Sequence, residues 1–134
     1  MKEMLLQEKF PIFTLDVDKS ETDFNSAQDL VNHFKQLIDE HKVTRFIGEF
    51  DHYSHTLRLG DGVVAKNIID ARNIVFCFAT KLPSAEILAV RPRSIGIAET
   101  ETGFTLSFLE APMALAHDTM ESWVNGIVNA KQAA

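Results

Sequence analysis

The chain has 134 residues, of which 46% are hydrophobic and 24% charged, a composition typical of one globular domain with its own core. Its 13 basic and 19 acidic residues give a net charge of −6 without any cluster of Lys and Arg, which argues against binding to nucleic acid or to an anionic membrane surface. No apolar run approaches the roughly 20 residues of a membrane-spanning helix, and a single cysteine excludes an internal disulfide.

The first part of the chain predicts a strand, a helix and a second strand. Residues 1–9 become charged too early for a signal peptide, so we expect a loosely ordered lead-in and a cytoplasmic protein. Residues 10–18 alternate as a strand does. Residues 26–42 carry apolar side chains at helical spacing after Ser26, which can cap the helix. Residues 43–50 predict the second strand.

The middle of the chain is less regular. Residues 51–56 are polar and aromatic, which predicts a loop or a fraying strand end. Residues 66–72 predict one or two helical turns, because adjacent isoleucines break the alternation of a strand. Residues 73–80 are apolar on both faces, as a central strand is. Residues 83–90 predict a short helix that ends before Pro92.

Residues 93–112 predict a β-hairpin. Apolar and polar residues alternate on both arms, as in a sheet with one face in a core. The tight turn between the arms ends at Gly103, which we expect to adopt a positive φ. Glu99 and Glu101 flank this turn, so we expect both carboxylates to be solvated.

The last part of the chain predicts a second amphipathic helix. Asp118 begins a pattern similar to a capping box, and apolar residues recur at helical spacing through Val128. Gly126 lies inside this pattern, where glycine costs about 1 kcal/mol relative to alanine, so we expect a close contact there. Residues 130–134 are expected to fray.

Together these elements predict a single domain over residues 1–134 with an α+β fold. We expect a mainly antiparallel sheet of about five strands, with the two long amphipathic helices packed on one face. The central strand also carries apolar groups on its other face. We therefore expect the open face of the sheet to mediate a homodimer.

The first candidate site is the group of His52, Tyr53 and His55 beside Asp51. Either histidine can act as an acid or a base near neutral pH. Two histidines three residues apart face opposite sides of a strand, and the spacing supplies no third metal ligand. Nucleotide-binding and nucleophile motifs are absent as well. The sequence therefore predicts neither a metal site nor a cofactor.

The second candidate site is the pair Arg91 and Arg93, which Pro92 stiffens at the start of the hairpin. Alternation can place both guanidinium groups on one side, and arginine suits carboxylates or phosphates. Ordinary ion pairs with Glu86 or Glu99 are the alternative. The candidate ligand-binding residues are therefore Arg91, Arg93, His52, His55 and Tyr53.

Four segments resemble a small family of uncharacterised bacterial proteins of about this length. These segments are residues 50–53, 70–78, 88–96 and 121–124. The resemblance covers most of the chain and implies a bacterial, cytoplasmic protein. It implies no activity, cofactor or catalytic residue.

The function expected from these observations is a non-enzymatic domain that binds a small acidic ligand or a protein partner and forms a homodimer. One alternative is a small enzyme in which His52 or His55 is the acid–base group and Tyr53 or Arg93 orients the substrate. The other alternative is a structural assembly subunit without a pocket.

Overall fold

The computed structural model of the protein describes residues 1–78 and 81–129, and these residues form six strands and three α-helices. The strands are Lys2–Leu6 (β1), Phe10–Asp18 (β2), Thr44–Asp51 (β3), Asp70–Phe78 (β4), Arg93–Glu99 (β5) and Gly103–Leu109 (β6). The helices are Ala27–Glu40 (α1), His52–Arg58 (α2) and Ala114–Asn125 (α3), and short 3-10 turns occupy Lys19–Glu21 and Glu86–Val90. None of the helices in this described part is long and apolar enough to span a membrane.

The strands form one open sheet in the order β1-β2-β6-β5-β4-β3, and each neighbouring pair is antiparallel. The predicted α+β class and antiparallel sheet are therefore confirmed. The predicted number of strands was too low by one, and α2 adds a third helix.

The additional strand is β1, which lies where the sequence predicts a loose lead-in. It pairs with β2 from Lys2 opposite Thr14 to Leu6 opposite Phe10. The connecting turn places Gln7 and Glu8 at positive φ values of 53° and 63°. Glycine and asparagine are the usual residues at such positions, so this hairpin has no recognisable turn signal in the sequence.

One face of the sheet forms the hydrophobic core together with α1 and α3. The buried helix residues are Ala27, Leu30, Val31, Phe34 and Ile38 from α1 and Ala116, Met120 and Val124 from α3. They belong to the same buried cluster as Ile74 and Phe76 of β4. Trp123 of α3 lies over β4, with its ring centroid 5.7 Å from that of Phe76. The opposite face, here called the open face, carries the alternate side chains of each strand.

The ends of α3 differ from the prediction. The helix begins at Ala114, one turn before Asp118, and Met113 at its N-cap provides no side-chain hydrogen bond. Gly126 is the C-cap residue, so it lies at the helix end rather than inside the helix. The predicted frayed tail at 130–134 lies outside the described residues.

The β5–β6 hairpin forms as predicted, but two of its residues differ from expectation. Gly103 begins β6 without a positive φ. A Cβ atom there would lie 2.5 Å from the carbonyl oxygen of Val17, so glycine permits the close approach of β2 and β6. Glu99 is buried instead of solvated, with 7% of its surface exposed. Its carboxylate accepts hydrogen bonds from Lys19 Nζ at 2.7 Å and from the Ala27 backbone N–H at 2.8 Å.

Candidate functional site

The helix α2 forms where the sequence predicts a loop, and it carries three of the candidate residues, His52, Tyr53 and His55. Asp51 is its N-cap and accepts hydrogen bonds from the backbone N–H and the hydroxyl of Ser54 at 3.0 and 2.9 Å. These hydrogen bonds lower the pKa of Asp51 below its ordinary value, and the positive charge of Arg72 lowers this pKa further. The cap turns the chain away from β3 and places α2 against β4.

A cavity of about 330 Å³ lies between α2 and the open face, and we call it the α2 cavity. Its floor consists of residues from three adjacent strands, namely Ala71, Asn73, Gly96, Ala98, Thr105 and Ser107. One wall is formed by His52, Tyr53 and Thr56 of α2. The other wall comes from Val63, Val64, Ala65 and Ile68 in the connection between α2 and β4.

The floor is deep because its central side chains are small. Asn73, Gly96 and Ser107 are aligned in one row across β4, β5 and β6. A Cβ atom added to Gly96 would lie 3.5 Å from Ser107 Oγ and 3.6 Å from Asn73 Nδ2, which is ordinary van der Waals contact. Gly96 therefore leaves space between a hydroxyl and an amide, two groups that can both donate and accept hydrogen bonds.

The structure places His52 and Tyr53 in this cavity but leaves His55 outside its lining. His52 Nδ1 lies 3.0 Å from Thr56 Oγ1, a contact that fixes the imidazole against α2. The ring centroids of His52 and His55 are 6.3 Å apart, and each lies 5.3 Å from the ring of Phe50. The two histidines therefore cluster around a phenylalanine, and only His52 faces the cavity.

The two candidate arginines lie at the opposite end of β5. Arg72 of β4 pairs on one side with Asp51, the N-cap of α2, and on the other side with Ile97 of β5. Ile97 therefore lies at the end of the sheet where α2 begins. Arg93 precedes Ile97 by four residues, a separation of roughly 13 Å along a strand. His52 lines the α2 cavity and Arg93 lines a different cavity, beside Phe78 and Ala111. The two candidate sites considered from the sequence therefore lie in separate places on the sheet.

Arg93 is buried on the core side of the sheet, with 7% of its surface exposed. Its guanidinium donates to the carbonyl oxygens of Leu109 and Val90, while its Nε has no hydrogen-bond partner in the described residues. Burial lowers the pKa of Arg93 below its ordinary value. The ion pair with Glu99 considered from the sequence does not form, because the two residues are at opposite ends of β5, roughly 20 Å apart. The Glu99 carboxylate binds Lys19 and the start of α1 instead.

Arg72, at the edge of the α2 cavity, is surrounded by carboxylates. Its nitrogens lie 3.1 Å from Asp70 and 3.6 Å from both Glu49 and Asp51. The hydrogen bond to Asp70 is the main reason that the pKa of Arg72 is raised above its ordinary value. These carboxylates neutralise its charge, so the cavity offers an apolar wall and neutral polar groups to a ligand.

The residues that sequence reasoning missed are those of the floor. Alternation on the hairpin already places Gly96 and Ser107 on the polar side of their strands. Only the strand order shows that they are neighbours and that Asn73 completes the row. Within residues 1–78 and 81–129, no group of three or more His, Cys, Asp or Glu side chains is arranged to hold a metal ion.

Comparison with protein families gives a match over almost the whole chain. The model of a family of unknown function, DUF6858, matches residues 1–129. Comparisons with curated proteins and with solved structures find no match.

Proposed function

Because this chain belongs to DUF6858, a family of unknown function, we propose its function from its geometry: it is a non-enzymatic domain that binds a small molecule in the α2 cavity. The expected membership of an uncharacterised family is confirmed. The bacterial, cytoplasmic setting that the resemblance implies stays a prediction.

The observation that carries this proposal is the cavity itself. Ligand-binding pockets are typically about 300 to 1,000 Å³, mostly apolar, with a few polar groups that orient the ligand. The α2 cavity has about 330 Å³ and combines apolar walls with Asn73 and Ser107 on its floor. His52 contacts the hydroxyl of Thr56 instead of a carboxylate, so it lacks the orienting partner typical of a catalytic histidine.

The charges around the cavity disfavour an anionic ligand. Arg72 is engaged by Asp70, Glu49 and Asp51, so it has little remaining attraction for an anion. A small aromatic or aliphatic molecule with one hydrogen-bonding group would place its apolar part against Val64 and Ile68 and its polar group against the floor. The acidic ligand expected from the sequence is not favoured at this cavity.

The test uses p-cresol and indole as probes in titrations followed by amide NMR shifts. In the natural protein, we expect the shifts to change most at residues 71–73, 96–98 and 105–107. Gly96→Leu fills the space above the floor and should weaken binding at least tenfold, which corresponds to about 1.4 kcal/mol. Gly96→Ala, whose Cβ meets only ordinary contacts, should bind nearly as the natural protein does.

Gly60→Leu serves as a matched control, because nothing lies within 4 Å of a Cβ atom at that position. It should leave the binding of both probes unchanged. If Gly96→Leu binds the probes as well as Gly60→Leu does, or if no probe shifts the floor residues, the proposed site is wrong.

A second proposal, self-association, is favoured by a patch of exposed apolar side chains on the open face. These are Met4 and Leu6 of β1, Phe10 of β2 and Leu109 of β6, which are 37%, 45%, 49% and 47% exposed. Met4 and Leu109 are both paired with Ile12, and Leu6 is paired with Phe10, so all four lie on one side of the sheet. We call this the β1 patch.

We infer that a second copy of the chain covers the β1 patch. The β1 strand is also a free sheet edge with exposed side chains on both faces, which sheet proteins usually protect. The other edge, β3, has such protection in a bulge between Phe46 and Gly48. Two copies related by a two-fold axis would bury the same patch on each, which closes the assembly as a homodimer.

Leu6→Glu is expected to convert the dimer to a monomer, because it places a charge inside the shared apolar patch. Sedimentation velocity at micromolar concentration measures the change. Leu5→Glu is the matched control: Leu5 is the neighbouring residue, is 59% exposed and faces the other side of β1. A natural protein that sediments as a monomer, or equal effects of the two variants, would contradict this interface.

A further inference from the structure

We infer that the protein has a second ligand site, distinct from the α2 cavity, that binds an amphipathic carboxylate: a small acid with an apolar tail. The site is a cavity of about 470 Å³ on the open face, at the opposite end of β4 from α2. We call it the Arg91 cavity. It is lined by Ile47, Cys77, Lys81, Leu82, Leu88, Arg91 and Pro92.

The floor of the Arg91 cavity is apolar because of how β3 and β4 pair. Phe76 and Phe78 of β4 are buried in the core, so alternation directs Cys77 to the open face. The bulge between Phe46 and Gly48 removes Ile47 from the regular ladder, and Ile47 is 56% exposed. These two side chains lie beneath the segment that contains the 3-10 turn Glu86–Val90.

The walls add further exposed apolar surface. Leu82 and Leu88 are 67% and 59% exposed, although both line the same cavity as Ile47 and Cys77. Contact between such side chains and water is unfavourable relative to their burial. An apolar tail that enters the cavity would remove surface from all four residues at once, which is a favourable contribution to binding.

Two cations at the same cavity supply the group that would bind a carboxylate. Arg91 Nη1 donates to the carbonyl oxygen of Lys81 at 2.6 Å, and Nη2 lies 3.6 Å from the sulfur of Met113. Met113 lines two smaller cavities that Arg91 also lines, so the guanidinium lies at the boundary between these cavities and the Arg91 cavity. Its neutral partners hold it there without cancelling its charge. Within the described residues, neither Arg91 nor Lys81 forms an ion pair with a carboxylate.

The contrast with Arg72 identifies the chemistry of the ligand. Arg72 is next to three carboxylates, whereas Arg91 and Lys81 retain their charge in a chain of net charge −6. A guanidinium binds a carboxylate through two parallel hydrogen bonds, and the attraction is stronger beside an apolar surface than in open water. The Arg91 cavity therefore selects a molecule that has both an anionic head and an apolar tail.

Octanoate is the probe for the test, with octanol lacking the charge and acetate lacking the tail. We expect octanoate to bind at least tenfold more tightly than either. Arg91→Met removes the charge and keeps an apolar side chain, so octanoate binding should fall at least tenfold while octanol binding stays the same. Lys81→Met should weaken octanoate binding by a smaller factor, about threefold. Arg58 is an exposed cation on α2, so Arg58→Met should leave octanoate binding unchanged.

The only cysteine of the chain gives an independent readout, because Cys77 lines this cavity. Octanoate should slow the alkylation of Cys77 by iodoacetamide in the natural protein and in Arg58→Met but not in Arg91→Met. Octyl phosphate is included to distinguish a carboxylate site from a general anion site. Tighter binding of octyl phosphate than of octanoate would reject the carboxylate assignment.

Equal binding of octanoate and octanol, or no effect of Arg91→Met, would overturn the proposal. So would octanoate-induced amide shifts confined to the α2 cavity. The variant Gly96→Leu separates the two sites: it should weaken indole binding at least tenfold and leave octanoate binding intact, so either proposal can fail without the other.

Discussion

Glu99→Ala is expected to lower the free energy of unfolding by about 3 kcal/mol, because the Glu99 carboxylate joins three parts of the fold. It belongs to β5, pairs with Lys19 at 2.7 Å and accepts the backbone N–H of Ala27, the first residue of α1, at 2.8 Å. Only 10% of the side chain is exposed. Its removal leaves a buried N–H without an acceptor and Lys19 without its partner.

Urea unfolding followed by circular dichroism measures this change. Glu99→Gln keeps an oxygen that can accept a hydrogen bond from the Ala27 N–H but removes the charge. It should therefore lower the free energy of unfolding by less than Glu99→Ala does. Glu101→Ala is the matched control, since Glu101 is exposed at the same turn and should change the free energy by less than about 0.5 kcal/mol. Equal losses for Glu99→Ala and Glu101→Ala would show that the buried carboxylate does not join these elements.

Arg93→Ala is expected to lower the free energy of unfolding by about 3 kcal/mol as well, for a different reason. The buried guanidinium bridges the carbonyl oxygens of Leu109, at the end of β6, and Val90, in the preceding 3-10 turn. Alanine would leave both carbonyls without this donor and open a cavity beside Phe78 and Ala111.

Arg93→Met separates packing from charge. Methionine fills most of the volume of the arginine side chain. It also removes a charged group whose burial lowers its pKa and whose Nε finds no partner among residues 1–78 and 81–129. Replacing a buried charge with an apolar group of similar size often costs little, so we expect a loss of about 1 kcal/mol. The same urea experiment measures both variants. A change below about 0.5 kcal/mol for Arg93→Ala would contradict a structural role for the buried guanidinium.

The sequence by itself determined the elements whose signals are local. The apolar stripe from Ala27 to Ile38 predicts α1 with its Ser26 cap, and the structure forms both. The alternation between Arg93 and Leu109 likewise predicts the β5–β6 hairpin. These predictions depend on helical and strand periodicity within one segment, which is why they did not require knowledge of any other part of the chain.

Only the tertiary structure decided where the candidate sites lie. The strand order places Asn73, Gly96 and Ser107 in one row, although Asn73 is more than twenty positions from Gly96 in the sequence. The antiparallel register also separates His52 from Arg93, two candidate residues whose relative position the sequence leaves open. A site depends on which strands are neighbours and on the register in which they pair. Both are set by packing between segments that are distant in the sequence. Local patterns therefore identify candidate side chains without showing which of them are in contact.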